Sequence, residues 1–372
     1  MVTVMRPARW QHGIAEVTRL VDAGLGVNEF RAQSLGRLES LISIDAAFYA
    51  TVEPATMVMT SALTDEPLAA AADRFFDNEY GTDDVNKFTA LADAVDPVGS
   101  LNRATRGERA SSPRYRDLMA MMGLGDEARA ALCSRHQCWG VLCLHRQDGD
   151  NAFDDDELAL LRRVAPLLGE GLRRGLAVSS TATGDAISGG PGVLILDADL
   201  SLVSSNPPAQ RWLAEVDDSE WPRSFPLPVA VMSAAAATGQ QRDGEPLPAR
   251  TRIRRARGGW MTVHASRLSG GRSDTVVVLD SADVDELTSL VLAAHGVTLA
   301  QSRVAALVLR GRSTQQIVNE LGISAHTVQE HLGAVFDKFG IGSRRELVAA
   351  LSAQPRQAHA RPFGQFVPTS EA

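Results

Sequence analysis

The chain has 372 residues, 44% of them hydrophobic and 22% charged, with a formal net charge of −8. That length suits two or three domains with ordinary apolar cores. Three Cys exclude a disulfide framework, no apolar run approaches the ~18 residues of a spanning helix, and the N-terminal MVTVMRPARW lacks the long apolar segment of a secretory signal. A cytoplasmic protein is therefore expected, with no membrane partner.

From the start, Val17, Leu20 and Val21 recur at helical spacing, as do Leu35, Leu38 and Leu41, so residues 9–40 should be largely helical. Ala46–Val52 and residues 56–62 alternate and are rich in β-formers, predicting a hairpin that turns at Glu53-Pro54. Residues 67–76 and 85–95 read as helices, 103–113 as a polar loop and 114–122 as helical. Residues 128–134 and 139–146 read as adjacent antiparallel strands joined near Arg135-His136-Gln137. Acidic residues at Asp154, Asp155, Asp156 and Glu157 mark a helix start, where the macrodipole favours negative charge. Leu158, Leu161, Val164, Leu168 and Leu172 carry that helix onward.

Residues 178–191 are small, polar and Gly-rich, the composition of a linker. Gly192-Val-Leu-Ile-Leu-Asp197 is an apolar strand, Asp199 sits in a turn, residues 200–204 return, and Asn206 precedes a helix with Ala209, Trp212 and Leu213. Strands at 249–255, 260–268 and 275–280 complete a small sheet, and 282–295 reads as a second linker. The Pro-containing tail, 353–372, reads as disordered.

Between these last two stretches, residues 296–352 hold four helix starts. Thr298 with Gln301, Ser313 with Gln316 and Ser343 with Glu346 have the spacing of capping boxes, and Ser324 is a fourth N-cap candidate. Gly311, Gly322 and Gly340 suit helix ends and turns that need a left-handed residue. Val328, Leu332, Val335 and Phe339 form a buried stripe on the third helix. Two helices joined by a short Gly-containing turn are a helix-turn-helix, whose second helix enters the DNA major groove. With that stripe inward, Gln329, Glu330 and Gly333 face outward near the helix N-terminus as base readers: Gln pairs with adenine, Glu accepts from cytosine, and Gly permits close approach. Ser313, Thr314, Ser324, Thr327, Lys338, Arg344 and Arg345 are the candidate phosphate contacts, which fix register. Charge agrees with this division. Residues 296–352 carry six basic and four acidic side chains, a net +2, which leaves −10 on the remainder.

At Thr298, Val304, Gly311, Ser313, Ile317, Leu321, Ile323, Ser324, Thr327, Val328, His331, Leu332, Lys338, Gly340 and Arg344 the segment resembles the LuxR-type (GerE-like) DNA-binding domain. It departs from that pattern at Ala300-Gln301, where the family has Arg-Glu, and at Gln329, where a Lys is common. The run Trp139–Arg146 followed by Phe153, Glu157, Leu160 and Leu161 resembles a GAF sensor domain, an arrangement similar to that of actinobacterial regulators. Residues 192–281 resemble a PAS domain, reduced to a dimerisation module. The fold class expected is multidomain: an α+β GAF-like domain (1–177), a linker (178–191), a small α+β PAS-like domain (192–281), a linker (282–295), an all-α four-helix module (296–352) and a tail (353–372).

Other constellations carry less. Cys133, Cys138 and Cys143 are spaced by five, without the close pairs of zinc sites, and strand alternation places Cys138 and Cys143 on opposite faces, so no metal site is expected. Gly123-Leu-Gly-Asp-Glu-Ala128 fits a dinucleotide loop only in letters, since a helix precedes it and a strand follows. No nucleophile elbow, zincin motif or Walker loop occurs, so neither enzyme nor cofactor is expected. Phe48, Tyr49, Met57, Met59 and Trp139 are candidates for an effector pocket, although residues at strand spacing also make plain core. The function expected is a dimeric, sequence-specific regulator of transcription that binds double-stranded DNA, answers to a small-molecule effector and touches RNA polymerase if it activates. A second reading leaves the helix-turn-helix as an adaptor that contacts another protein.

Overall fold

The computed structural model describes residues 5–179, 190–217, 227–242, 245–246, 248–268, 274–282 and 284–352. Of the linker expected at 178–191, residues 180–189 lie outside them, as does the tail at 353–372, and 178–179 belong to the preceding helix.

Two helices, α1 (Met5–Asp22) and α2 (Val27–Glu39), precede a five-stranded antiparallel sheet: β1 (Ala46–Val52), β2 (Met59–Thr64), β3 (Val98–Ser100), β4 (Leu124–Ser134) and β5 (Gln137–Gln147). The strand order is β2-β1-β5-β4-β3. Short helices α3 (Glu66–Ala69), α4 (Ala72–Gly81), α5 (Phe88–Asp93) and α6 (Leu101–Ala104) lie between β2 and β4, and the long α7 (Asp155–Ser179) closes the unit. Val164, Leu168 and Leu172 of α7 are buried with Tyr49, Leu142 and Leu144 of the sheet. The hairpin β1–β2 forms three residues later than its composition suggests, because Glu53–Val58 closes a longer turn: the Glu53 N–H donates to the Val58 carbonyl (2.8 Å).

The second unit repeats this topology. Strands β6 (Gly192–Leu196) and β7 (Leu202–Ser205) are followed by α8 (Pro207–Leu213), α9 (Val229–Ala236) and a short ribbon of β8 (Gln241–Arg242) with β9 (Glu245–Pro246). Then come β10 (Arg250–Arg254), β11 (Trp260–Arg267) and β12 (Thr275–Ser281), in the order β10-β11-β12-β6-β7, all antiparallel. Counted within each sheet, both follow the order 2-1-5-4-3. Asn206 starts α8 as expected: its side chain accepts the Ala209 N–H (3.0 Å).

The two units share a core. α9 lies over β2 and α4, so Val229, Ala230 and Met232 are buried in one cluster with Phe48, Met59, Phe75 and Tyr80. Ser233 is fully buried, and its hydroxyl accepts the Met59 N–H (2.8 Å) and bonds the Tyr80 hydroxyl (2.7 Å). The β1–β2 turn also meets β10: Thr56 donates to the Arg250 carbonyl (2.7 Å), and Arg252 pairs with the buried Glu53 carboxylate (2.9 Å at Nε). The exposed edge of the first sheet is thereby covered by the second unit, as an edge strand requires.

Residues 284–294, expected as linker, form the helix α10 (Val284–Ala294). Leu287, Leu290 and Ala294 pack with the α7 side, while Val291 and Leu292 join the C-terminal core. Four helices then follow: α11 (Leu299–Leu309), α12 (Thr314–Leu321), α13 (Ala325–Phe339) and α14 (Arg344–Ser352).

Candidate nucleic-acid interface

Each helix of the C-terminal module begins and ends where local chemistry puts it. Thr298 and Ser313 form full capping boxes with Gln301 and Gln316. Ser324 caps α13, accepting the Thr327 N–H (3.0 Å). At Ser343 the box is altered: the Glu346 carboxylate accepts from the Ser343 hydroxyl (2.7 Å) and from the Gly342 N–H (2.9 Å) instead of the cap residue's own N–H. These bonds hold the Glu346 carboxyl below its usual range, the Gly342 N–H contributing most. Gly340 ends α13 at φ +64°, with Gly340 N–H to the Asp337 carbonyl (3.2 Å) and Ile341 N–H to the Phe336 carbonyl (3.0 Å), a Schellman end.

This framework aims α13. Val328, Leu332 and Val335 are buried against Val304, Val308 and Ile317, so the opposite face is turned out. Gln329 and Glu330 are exposed, and Gly333 between the faces is half-buried. A Cβ at Gly333 would meet no atom of the protein. Packing therefore does not require this glycine, though it costs the helix about 1 kcal/mol relative to Ala. Among the described residues Glu330 is engaged only by His326, one turn earlier (3.4 Å). Ser313, Thr314, Ser324 and Thr327 sit at the N-terminal ends of α12 and α13, where free N–H groups and the helix dipole favour phosphate oxygens. Arg345 is exposed, and Arg344 donates to the Arg312 carbonyl, bracing the turn before α12.

Lys338 is placed elsewhere than the sequence suggests. Its ammonium donates to the Gly296 carbonyl and to Gln301 Oε1, both at 2.7 Å. Arg173 of α7 donates to the Ala294 carbonyl beside it, and the Arg135 guanidinium lies against Gly296. Burial, with Arg135 and Arg173 nearby, lowers the Lys338 pKa. Cations from two domains thus converge on the C-terminal carbonyls of α10, where the helix dipole is negative. His295 stacks on Phe339 with ring centroids 3.9 Å apart. This junction pins the helix-turn-helix to the first domain and leaves the outer face of α13 exposed. Sequence reading missed it, because 282–295 has the polar start of a linker and its partners lie far away in the chain.

The five effector-pocket candidates do not come together. Phe48, Met57 and Met59 lie on the side covered by α9, while Tyr49 and Trp139 lie on the α7 side. Tyr49 follows from alternation along β1. Trp139 follows from a bulge: Leu132 pairs with Gly140 and Cys133 with Cys138, so Trp139 is the extra residue. The same bulge overturns the expectation for the cysteines. Cys138 and Cys143, five apart, both join the α9-side cluster. All three cysteines are free.

Under that side lies a buried ionic cluster. Arg114 meets Glu127 (2.8 Å), and Arg129 meets Glu79 (2.9 Å) and the Phe88 ring (4.0 Å). Burial would raise the Glu127 carboxyl, but Arg114 and Arg129 bring it down to about 2. Burial pushes Cys143 up to about 12 and His145 down to about 4. Glu127, Cys143 and His145 have potential ligand atoms within 4.8 Å of one another. Two guanidiniums already neutralise the carboxylate there, which opposes a cation.

Comparison with known families agrees with this geometry. Residues 298–351 match the family described as bacterial regulatory proteins, luxR family, and residues 44–172 match the GAF domain. The C-terminal module is thus a LuxR-type DNA-binding domain of the kind found in bacterial regulators. The N-terminal sheet unit is a GAF domain, and the chain joins the two. No curated protein matches it. Among solved structures it is similar to the phage VqmA–DPO complex, at 18% identity over 45% of this chain and 85% of that one, with a TM-score of 0.17. It is also similar to a Vibrio cholera VqmA–ligand–DNA complex, at 21% identity over 45% and 83%, with a TM-score of 0.19. At such TM-scores the likeness does not extend to a shared arrangement of domains. Among the described residues no helix is long and apolar enough to cross a membrane.

Proposed function

We propose that the protein is a cytoplasmic transcription regulator that reads DNA through α13 as a dimer, under the control of its two sheet domains. The observation that carries this is the division of α13 into a buried Val328, Leu332, Val335 face and an exposed face bearing Gln329 and Glu330, within a LuxR-type domain. In this reading Gln329, Glu330 and Gly333 face base edges. Ser313, Thr314, Ser324, Thr327, Arg344 and Arg345 hold the phosphate backbone. Two copies of α13 would occupy successive major grooves of a near-palindromic site. Lys338, held at the α10 junction, serves the regulator's assembly and reaches DNA only if that junction opens.

The second sheet domain is read as PAS-like, supported by its strand order and by Asn206 at the start of α8. The domain divisions proposed are 1–177, 192–281 and 296–352, with α10 joining the last two. Control by the sheet domains is supported by α10, which packs on both the GAF side and the DNA-binding core. RNA polymerase is a partner if the protein activates.

The experiment is binding of wild type and Gln329→Ala to a selected site and to random duplex. Loss of one bidentate base contact should cost about 1–3 kcal/mol on the site and little on random DNA. Equal loss on both would remove base reading by Gln329.

A further inference from the structure

The groove between the two sheet domains contains a cavity of about 540 Å³. That volume is within the roughly 300–1,000 Å³ of sites that take small molecules. It is separate from the α9-covered side, where the chain's own helix fills the space above Phe48 and Met59. Its apolar walls come from both domains: Trp139 and Leu172 from the first, Trp260 from the second and Leu290 from α10. Trp139 Nε1 is taken up by the Ser134 carbonyl (3.2 Å), so the indole offers the cavity apolar surface.

Three arginines also line it, and their neighbours differ. Arg252 is paired with Glu53, and Arg255 faces Glu215 at 3.6 Å. The Arg254 side chain has no hydrogen bond or ion pair among the described residues; the charge it feels is that of the exposed Asp217. Burial lowers its pKa, the sign of a guanidinium partly stripped of water. A desolvated cation without a partner is unfavourable, and a carboxylate set against the guanidinium fork would relieve that cost.

We propose that this interdomain cavity binds an amphipathic organic anion, its apolar, planar body between Trp139 and Trp260 and its carboxylate on Arg254. The proposal names the effector site of the sensor reading above and rests on that reading only for what binding would regulate. Leu290 lines the cavity, and the next residue, Val291, is buried in the DNA-binding core. A ligand that favours one arrangement of the two sheet domains would therefore bear on the helix that carries the DNA module.

The test uses the full chain without DNA, so its failure leaves the DNA reading standing. 8-Anilinonaphthalene-1-sulfonate is bound and followed by its fluorescence, then displaced with 2-naphthoate or the uncharged 2-naphthamide. The expected result is that the acid displaces the dye about ten- to a hundredfold better than the amide, the range of a charge-assisted bond. Arg254→Gln should abolish that preference while leaving the amide unchanged. Leu176→Trp, which fills the cavity from α7, should weaken acid and amide together. Acid and amide displacing equally well in wild type would overturn the proposal. So would a preference that survives Arg254→Gln, or dye binding that neither naphthalene displaces.

Discussion

Ser233→Ala tests whether the two sheet domains form one cooperative unit. The hydroxyl removed is fully buried and holds the Met59 N–H (2.8 Å) and the Tyr80 hydroxyl (2.7 Å) across the domain boundary. Neither partner is left alone. The Met59 N–H still faces the Tyr80 oxygen (3.2 Å), and the Tyr80 hydroxyl still donates to the Met57 carbonyl (3.2 Å). With no orphaned donor, the loss should be near the net worth of one bond, about 1 kcal/mol, and well short of the ~3 kcal/mol of an unsatisfied buried group. For a unit of this size that lowers Tm by about 2–4 °C. Calorimetry of the full chain should show the GAF domain and the second sheet domain melting in one transition, shifted by this amount. Tyr80→Phe should cost a similar amount, and the double variant less than the sum, since both changes break the same bond. Two separate transitions, with Ser233→Ala moving only one, would refute the shared core.

Two further outcomes follow from charge placement. His145 is held neutral by burial, its pKa down to about 4 against an ordinary value near 6.5. The unfolded chain therefore binds a proton that the folded one refuses, and stability is lost as pH falls from ~6.5 towards ~4, by about 3 kcal/mol. Urea midpoints across that range should flatten in His145→Gln, and an unchanged slope would contradict the assignment. On DNA, Arg345→Gln should reduce the slope of log affinity against log salt by about 1, the loss of one phosphate contact. Lys338→Gln should leave the slope nearly unchanged, because its ammonium is held by Gly296 and Gln301. An equal reduction in both would show that the α10 junction opens on DNA.

The C-terminal module was legible because its signals are local. A capping box spans four residues and a left-handed glycine one, so Thr298, Ser313, Gly322 and Gly340 mark their helices without tertiary information. α9 was not legible. VAVMSAAA is apolar but for Ser233 and has no periodicity, and its meaning comes from Met59 and Tyr80, more than 150 residues away. β4 begins at Leu124, four residues before the expected 128, and so takes in Asp126 and Glu127 ahead of Arg129. They are buried: Arg114 pairs with Glu127, Glu79 pairs with Arg129, and the Asn102 and Phe153 N–H groups donate to Asp126. Among the effector candidates, alternation along β1 already turns Tyr49 away from Phe48, while Trp139 is turned by a bulge that no alternation rule could locate. Lys338 had the right charge at the right helix end, and a neighbouring helix terminus claimed it.

The central claim, that the exposed face of α13 reads DNA, is tested most directly by salt-dependent binding of the full chain. The duplexes are the region upstream of its own gene and a random sequence of equal length. The account predicts a preference of about a thousandfold or more for a site within that region, with affinity for both duplexes falling steeply as salt rises. Weak binding with no preference between the two, insensitive to salt, would contradict it and favour a helix-turn-helix that contacts protein.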